Sequence, residues 1–195
     1  EGPSDLPRVV CLEGEAGVGK TRLCQACLGA LEPGTLVLRG GAVLGGQRFP
    51  LLPWNDLLRG LRRTRGGATS GPPAPDFPEA LWSLLGQAFP SLGVRATSFQ
   101  PPDPGRLGSV LAALFGNLAA VRPVALVLED LHGFDGTSLD VLESVLLHDP
   151  GGVRFLVTSR PAPDRRDRRI LRGLERGGRI ALLDLEAALA DLLVL

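Results

Sequence analysis

Residues 9–21 read VVCLEGEAGVGKT, an apolar run followed by a glycine-rich segment and a lysine–threonine pair. Gly14, Gly19, Lys20 and Thr21 occupy all the fixed positions of the pattern G-x-x-x-x-G-K-[ST]. The apolar run predicts a buried strand, and the helical spacing of the apolar residues after Thr21 predicts a helix. The stretch therefore predicts a strand–loop–helix unit whose loop binds nucleotide phosphates.

The residue types of this loop suit phosphate binding. Glycines let the backbone curl so that successive N–H groups face phosphate oxygens, and the helix start adds its positive dipole. We expect the Lys20 ammonium, exposed at the loop, to reach the β- and γ-phosphates, and the Thr21 hydroxyl to ligate Mg²⁺. Lys20 is the only lysine in the chain. The expected nucleotide-contacting residues are Gly14, Glu15, Ala16, Gly17, Val18, Gly19, Lys20, Thr21 and Arg22.

A second apolar run, residues 124–128, is followed by two acids, Glu129 and Asp130. Carboxylates at the end of a strand beside a phosphate loop hold Mg²⁺ and orient the attacking water. The usual order is Asp then Glu, and the order here is reversed, so the two roles are open. Our working assignment gives Mg²⁺ to Glu129 and the attacking water to Asp130.

A further apolar run, residues 153–158, ends in polar residues. In proteins with a phosphate loop, a polar residue at the end of the corresponding strand senses the γ-phosphate. Thr158, Ser159 or Arg160 could do so here. The candidate catalytic residues are therefore Glu129, Asp130, Ser159 and Arg160.

Strands and helices alternate along the chain. Apolar runs predict strands at Val9–Glu13, Thr35–Arg39, Val124–Leu128, Val153–Thr158 and Arg179–Leu183. Their continuous apolar character is typical of parallel strands covered on both faces. Helical spacing predicts helices at Thr21–Leu31, Pro53–Arg63, Glu79–Phe89, Arg106–Val121, Thr137–His148, Arg165–Arg176 and Glu186–Leu193. A capping-box pattern, Thr137-x-x-Asp140, predicts the start of the fifth of these helices.

The order of these elements predicts an α/β fold, the three-layer αβα sandwich of P-loop NTPases with a mainly parallel five-stranded sheet. Residues 40–123 form a helical excursion between the second and third strands. We expect residues 1–195 to form one such core.

Composition excludes several classes of protein. The 195 residues contain 21 basic and 21 acidic side chains, so the overall charge predicts neither nucleic-acid contact nor an anionic membrane surface. No apolar run is long enough to span a membrane. Three cysteines cannot all pair with each other, which favours a reducing, cytoplasmic setting. Cys24-x-x-Cys27 at helical spacing indicates packing rather than a redox or zinc site.

Three segments resemble a known family. Residues 14–23 (GEAGVGKTRL), 126–146 (LVLEDLHGFDGTSLDVLESVL) and 155–161 (FLVTSRP) are similar to the ATPase domain of large ATP-binding LuxR-type transcription regulators. More broadly, they resemble the signal-transducing STAND/AAA-like branch of P-loop ATPases. The resemblance implies ATP or ADP, Mg²⁺ and a regulatory switch. It also implies protein partners or self-association through a lid and DNA-binding domains that we expect to lie outside this chain.

The chain departs from the family at three places. Gly133 replaces a tryptophan, residues 182–185 lack a proline, and residues 1–8 contain no adenine-contacting segment. Two alternatives to a slowly hydrolysing ATPase remain open. The reversed order of Glu129 and Asp130 leaves room for a nucleotide-binding scaffold without useful turnover, and the arginine cluster at 165–179 leaves room for a P-loop kinase. The preference for ATP over GTP rests on the resemblance.

Overall fold

A computed structural model describes residues 8–42, 50–64, 77–89, 92, 103–161, 170–172, 175 and 180–185. The strands are β1 (Val9–Glu13), β2 (Leu36–Gly41), β3 (Val124–Glu129), β4 (Val153–Ser159) and β5 (Ile180–Asp184). The helices are α1 (Lys20–Gly29), α2 (Leu52–Thr64), α3 (Glu79–Ala88), α4 (Pro104–Ala119) and α5 (Gly136–Leu147). Of the helix predicted at 165–176, residues 170–172 and 175 are described and helical. The helix predicted at 186–193 lies outside the described residues.

The five strands form one parallel sheet in the order β2-β3-β4-β1-β5. Side chains of successive strand residues point to opposite faces of a sheet. On one face Cys11, Leu126 and Val157 belong to a large apolar cluster with residues of α2, α4 and α5. On the other face Leu12 and Val127 pack with Cys24 of α1. Helices therefore cover both faces, and the predicted αβα sandwich with a parallel sheet is confirmed.

The predicted helical excursion is also confirmed, because α2, α3 and α4 all lie between β2 and β3 in the chain. Its first helix, α2, lies directly on β2. A Cβ atom at Gly40 would come within 2.1 Å of the carbonyl oxygen of Pro53, so a residue without a side chain is required at this crossing. The buried side chains Trp54, Leu57 and Leu58 place α2 in the large cluster.

The start of α5 differs from the capping-box prediction. The N-cap is Asp135, whose Oδ1 accepts a hydrogen bond from the backbone N–H of Ser138 at 2.9 Å. Thr137 lies inside the first turn. Aspartate is a better N-cap than threonine, so the helix begins earlier than the capping-box pattern predicts.

Parallel strands end at a common edge of the sheet, and in α/β proteins this carboxyl edge is where ligands bind. The loop after β1, the acids that end β3 and the polar end of β4 all lie there. None of the helices in the described ranges has the length and apolar character needed to cross a membrane.

Candidate functional site

The loop between β1 and α1 takes its shape from two glycines in the left-handed region. Gly17 has a φ of 88° and Gly19 a φ of 104°. No atom lies within 4 Å of a Cβ built at either position, so the backbone conformation, not space, requires glycine. Gly19 is the N-cap of α1 and has no side chain to cap it. The first N–H groups of α1 therefore receive no side-chain cap from this residue, as an anion-binding helix start requires.

Lys20 is buried, with only 9% of its surface exposed. Its Nζ donates hydrogen bonds to the carbonyl oxygens of Gly14 at 2.7 Å and Glu15 at 2.8 Å. The expectation of an exposed lysine is therefore wrong. The loop wraps around its own ammonium group, whose charge lies at the centre of the loop.

The other residues of the loop differ in their exposure. Gly14 is buried and its N–H donates to the carbonyl oxygen of Ser159 at 3.3 Å, which joins the loop to β4. Val18 and Gly19 are half-buried. The remaining predicted contact residues are exposed: Glu15, Ala16, Gly17, Thr21 and Arg22.

Glu129, the last residue of β3, faces α1. It follows Val127 by two residues and so shares the sheet face on which Val127 packs with Cys24. Burial, followed by the negative charge of Glu129, raises the pKa of the Cys24 thiol to about 11, although Arg39 opposes the shift. Cys24 lies about one helical turn after Thr21. The fold thus brings Glu129 to the side of the sheet where α1 carries Thr21.

Asp130 leaves the strand with a left-handed backbone, φ 57° and ψ 50°. Its N–H donates to the hydroxyl Oγ1 of Thr158 at 3.0 Å. One carboxylate oxygen of Asp130 lies 3.9 Å from Nδ1 of the buried His132. The two acids are thus held differently, one at the end of the strand and one in the turn that follows it.

The three polar candidates at the end of β4 occupy different positions. Thr158 is 4% exposed, and its hydroxyl accepts the hydrogen bond from Asp130. Ser159 is 1% exposed and lies on the opposite face from Thr158, where its hydroxyl donates to the carbonyl of Arg160 at 3.4 Å. Arg160 is exposed. Thr158 thus contacts Asp130, and it does so through the backbone of the acid.

Two acids at this edge had no role in the sequence-based prediction. Glu13, at the end of β1, is 2% exposed and pairs in register with Ser159 and Asp184. Glu13 could have been identified from the sequence, because it follows an apolar run directly, as Glu129 does.

The second acid is Asp135. Its carboxylate accepts hydrogen bonds from the Ser138 hydroxyl at 2.5 Å and from the Leu51 N–H at 3.3 Å. Asp135 therefore ties the start of α2 to the segment after β3.

Two of the three cysteines pack in apolar clusters, Cys11 in the large one and Cys24 in the smaller one, whereas the predicted packing role of Cys27 is wrong because Cys27 is exposed. Cys11 and Cys24 are buried and Cys27 is exposed, and none forms a disulfide. Within the described ranges, no group of three or more His, Cys, Asp or Glu side chains could hold a metal ion.

Residues 2–157 match the AAA ATPase domain family, and the chain belongs to that family. The family match supports nucleotide binding and ATPase activity in general terms. No curated protein matches the chain closely enough to count as a relative.

Similar solved structures come from the Drosophila origin recognition complex, ORC. A chain of "Drosophila ORC bound to GC-rich DNA and Cdc6" has a TM-score of 0.50 and 13% identity, covering 93% of this chain and 50% of that one. For ORC bound to AT-rich DNA and Cdc6 the TM-score is 0.48 with 14% identity, covering 90% and 48%. For ORC bound to DNA it is 0.47 with 12% identity, covering 93% and 81%. The chain spans about half the length of the first two. This likeness shows the fold alone.

Proposed function

We propose that this member of the AAA ATPase domain family is the ATP-binding and slowly hydrolysing switch module of a regulator. One observation carries the proposal: the Lys20-centred loop and the acids Glu129 and Asp130 lie at the same edge of the sheet. The loop follows β1 and the acids end β3, with only β4 between them. This is the pairing of phosphate-binding loop and acidic strand end that phosphoryl transfer needs.

The residues present fit a magnesium nucleotide. The α1 N-terminus starts at a glycine without a side-chain cap, and a buried ammonium lies beside it. Mg²⁺ prefers oxygen ligands and is commonly held by one or two protein groups together with substrate phosphates. We assign Thr21 and Glu129 to it, because the face of α1 near Thr21 and the face of β3 that carries Glu129 are turned to each other. When bound, the ion neutralises charge that develops on phosphate oxygens.

The chain's own groups supply the rest of the chemistry. The backbone N–H groups from Gly14 to Gly19 and the ammonium of Lys20 bind and orient the phosphates. The carboxylate of Asp130 accepts a hydrogen bond from the attacking water and so turns a lone pair of the water oxygen toward the phosphorus. Aspartate is one methylene shorter than the usual glutamate, so we expect this water to be held poorly and turnover to be slow. Ser159 and Arg160 remain candidates for sensing the γ-phosphate, and the exposed Arg160 is the better placed.

The regulatory part of the proposal rests on sequence. The similarity of residues 14–23, 126–146 and 155–161 to LuxR-type regulators supports a role in controlling transcription. We take residues 1–195 as the nucleotide core, with partners or self-association provided by other domains. The DNA in the ORC structures is bound by those proteins. Because this chain has no net charge, we do not propose that it binds DNA itself. Three free cysteines, one of them exposed, favour the cytoplasm.

Phosphate release from Mg-ATP tests the proposed activity. We expect slow release by the parent chain, and none by Lys20→Ala at the same protein concentration. The assay is repeated with candidate phosphoryl acceptors. Acceptor-dependent loss of ATP would indicate a kinase and contradict the proposal. Tight ATP binding without phosphate release would identify a scaffold.

The switch is tested by limited proteolysis with ADP and with a non-hydrolysable ATP analogue. Different cleavage patterns are expected, and identical patterns would contradict a switch. The transcriptional role is tested by comparing transcripts in cells carrying the parent gene or Lys20→Ala. Unchanged transcripts would contradict that role.

A further inference from the structure

We infer that Thr158 is a positioning residue, which holds Asp130 for attack on the phosphate without contacting the nucleotide itself. The inference rests on the proposed hydrolysis and names a further residue that this reaction needs. It assigns Thr158 a role different from phosphate sensing.

The position of Thr158 follows from the register of the sheet. Strands β3 and β4 pair from Val124↔Val153 to Leu128↔Val157. Residues beyond these pairs no longer share the regular ladder of backbone hydrogen bonds. Asp130 turns away from the strand with its left-handed φ of 57°, and its N–H then points to the Thr158 hydroxyl. A side-chain oxygen thus replaces the backbone acceptor that the ladder no longer provides.

The hydrogen bond fixes a conformation that aspartate seldom adopts. A left-handed backbone is uncommon for residues with a Cβ, and it persists where surrounding contacts hold it. Thr158 is 4% exposed, so water competes little for the bond. Without this acceptor, Asp130 can relax toward an extended backbone, which redirects its carboxylate.

The same bond connects two parts of the site. Thr158 immediately precedes Ser159 and Arg160, and the carbonyl of Ser159 accepts a hydrogen bond from Gly14 of the phosphate loop. The end of β4 therefore touches the loop through Ser159 and the catalytic acid through Thr158. Because Thr158 and Ser159 are adjacent in the chain, a displacement of the phosphate loop at Ser159 also displaces Thr158 and its contact with Asp130.

The test compares Thr158→Val, which keeps the shape and removes the acceptor, with Thr158→Ser, which keeps the hydroxyl. In Thr158→Val we expect kcat for ATP to fall by about ten- to a hundredfold, because small misplacements of a catalytic group have such effects. The KM and the calorimetric Kd for Mg-ATP should stay within about twofold, and Thr158→Ser should restore most of kcat. Hydrogen exchange at the Asp130 amide, measured by NMR, should be faster in Thr158→Val only.

Thr35→Val is the matched control. The Thr35 hydroxyl donates to the carbonyl of Glu32 at 2.7 Å, at the opposite edge of the sheet, so its removal should leave kcat unchanged. A loss of Mg-ATP affinity in Thr158→Val as large as the loss of kcat would show direct contact and overturn the inference. Unchanged kcat, or unchanged amide exchange at Asp130, would also overturn it. Absence of turnover in the parent chain would overturn the proposed hydrolysis itself, and the inference with it.

Discussion

The ammonium of Lys20 donates a hydrogen bond to the carbonyl oxygen of Gly14, 2.7 Å away at the other end of the phosphate loop. The bond closes the loop on itself and keeps a buried positive charge where phosphate oxygens would enter. Lys20 thus shapes the loop, and we propose that it also attracts the phosphates of the ligand.

Replacing Lys20 with alanine should abolish nucleotide binding and also lower stability slightly. The carbonyls of Gly14 and Glu15 would lose a charged donor, and such a loss costs about 1–3 kcal/mol for buried groups. Thermal unfolding with and without Mg-ATP measures both effects. A ligand at about a hundred times its Kd stabilises a protein by about 2.7 kcal/mol, and only the parent should show this shift.

Lys20→Arg separates the effect of the positive charge from the effect of the shape of the side chain. It keeps the positive charge but introduces a wide, planar guanidinium into a loop that encloses a compact ammonium, so we expect impaired binding. Full stabilisation of Lys20→Ala by Mg-ATP would remove Lys20 from the site, whereas full stabilisation of Lys20→Arg would show that the loop accepts a guanidinium.

The titration of Cys24 should appear in the pH dependence of stability. Burial raises the pKa of this thiol from its ordinary value of 9.0 to about 11 in the folded chain. Between these values the folded chain keeps a proton that the unfolded chain has lost, so stability falls as pH rises from about 9 to 11. Denaturant unfolding across that range should give a steeper decline for the parent than for Cys24→Ala. Equal slopes would contradict the burial of the thiol.

The sheet and the loop could be predicted from sequence because local patterns encode them. Continuous apolar runs mark strands buried on both faces, and all five were identified. Two fixed positions of the motif, Gly19 and Lys20, encode one of the two left-handed residues and the charge of the loop, whereas Gly17 occupies a variable position. Glu129 was identifiable because it follows such a run directly.

Contacts between distant segments could not be predicted in this way. Leu51 and Asp135 are 84 positions apart, and Asp130 and Thr158 are 28 apart. A local sequence pattern does not indicate from which distant backbone N–H a carboxylate or hydroxyl oxygen accepts a hydrogen bond. The burial of Lys20 escaped prediction for a different reason. Its acceptors, the carbonyl oxygens of Gly14 and Glu15, are close in sequence, but the residue pattern does not state how the loop backbone folds around the lysine.

Two glycines of α4 should respond oppositely to alanine. A Cβ at Gly108 would lie 2.4 Å from the Cβ of Ser144 on α5, whereas nothing lies within 4 Å of one at Gly116. Both changes gain helix propensity, so Gly116→Ala should stabilise the chain by about 0.5–1 kcal/mol. Gly108→Ala should instead destabilise it by about 1–3 kcal/mol, because overpacking separates the two helices. Denaturant unfolding measures both, and stabilisation by Gly108→Ala would contradict the close α4–α5 contact.

Neutralising the two acids should separate their roles. Glu129 faces α1 at the end of β3, so Glu129→Gln should weaken Mg-dependent ATP affinity by removing a charged ligand. Asp130 lies in the turn beyond the strand, so Asp130→Asn should leave affinity nearly unchanged and lower the hydrolysis rate. Calorimetry with and without Mg²⁺, together with phosphate release, measures both properties on the same preparations. Because Gln and Asn keep the shapes of the acids, unchanged melting temperatures confirm that only charge was lost. If Asp130→Asn loses Mg-ATP binding while Glu129→Gln loses only turnover, Asp130 holds the ion and Glu129 orients the water.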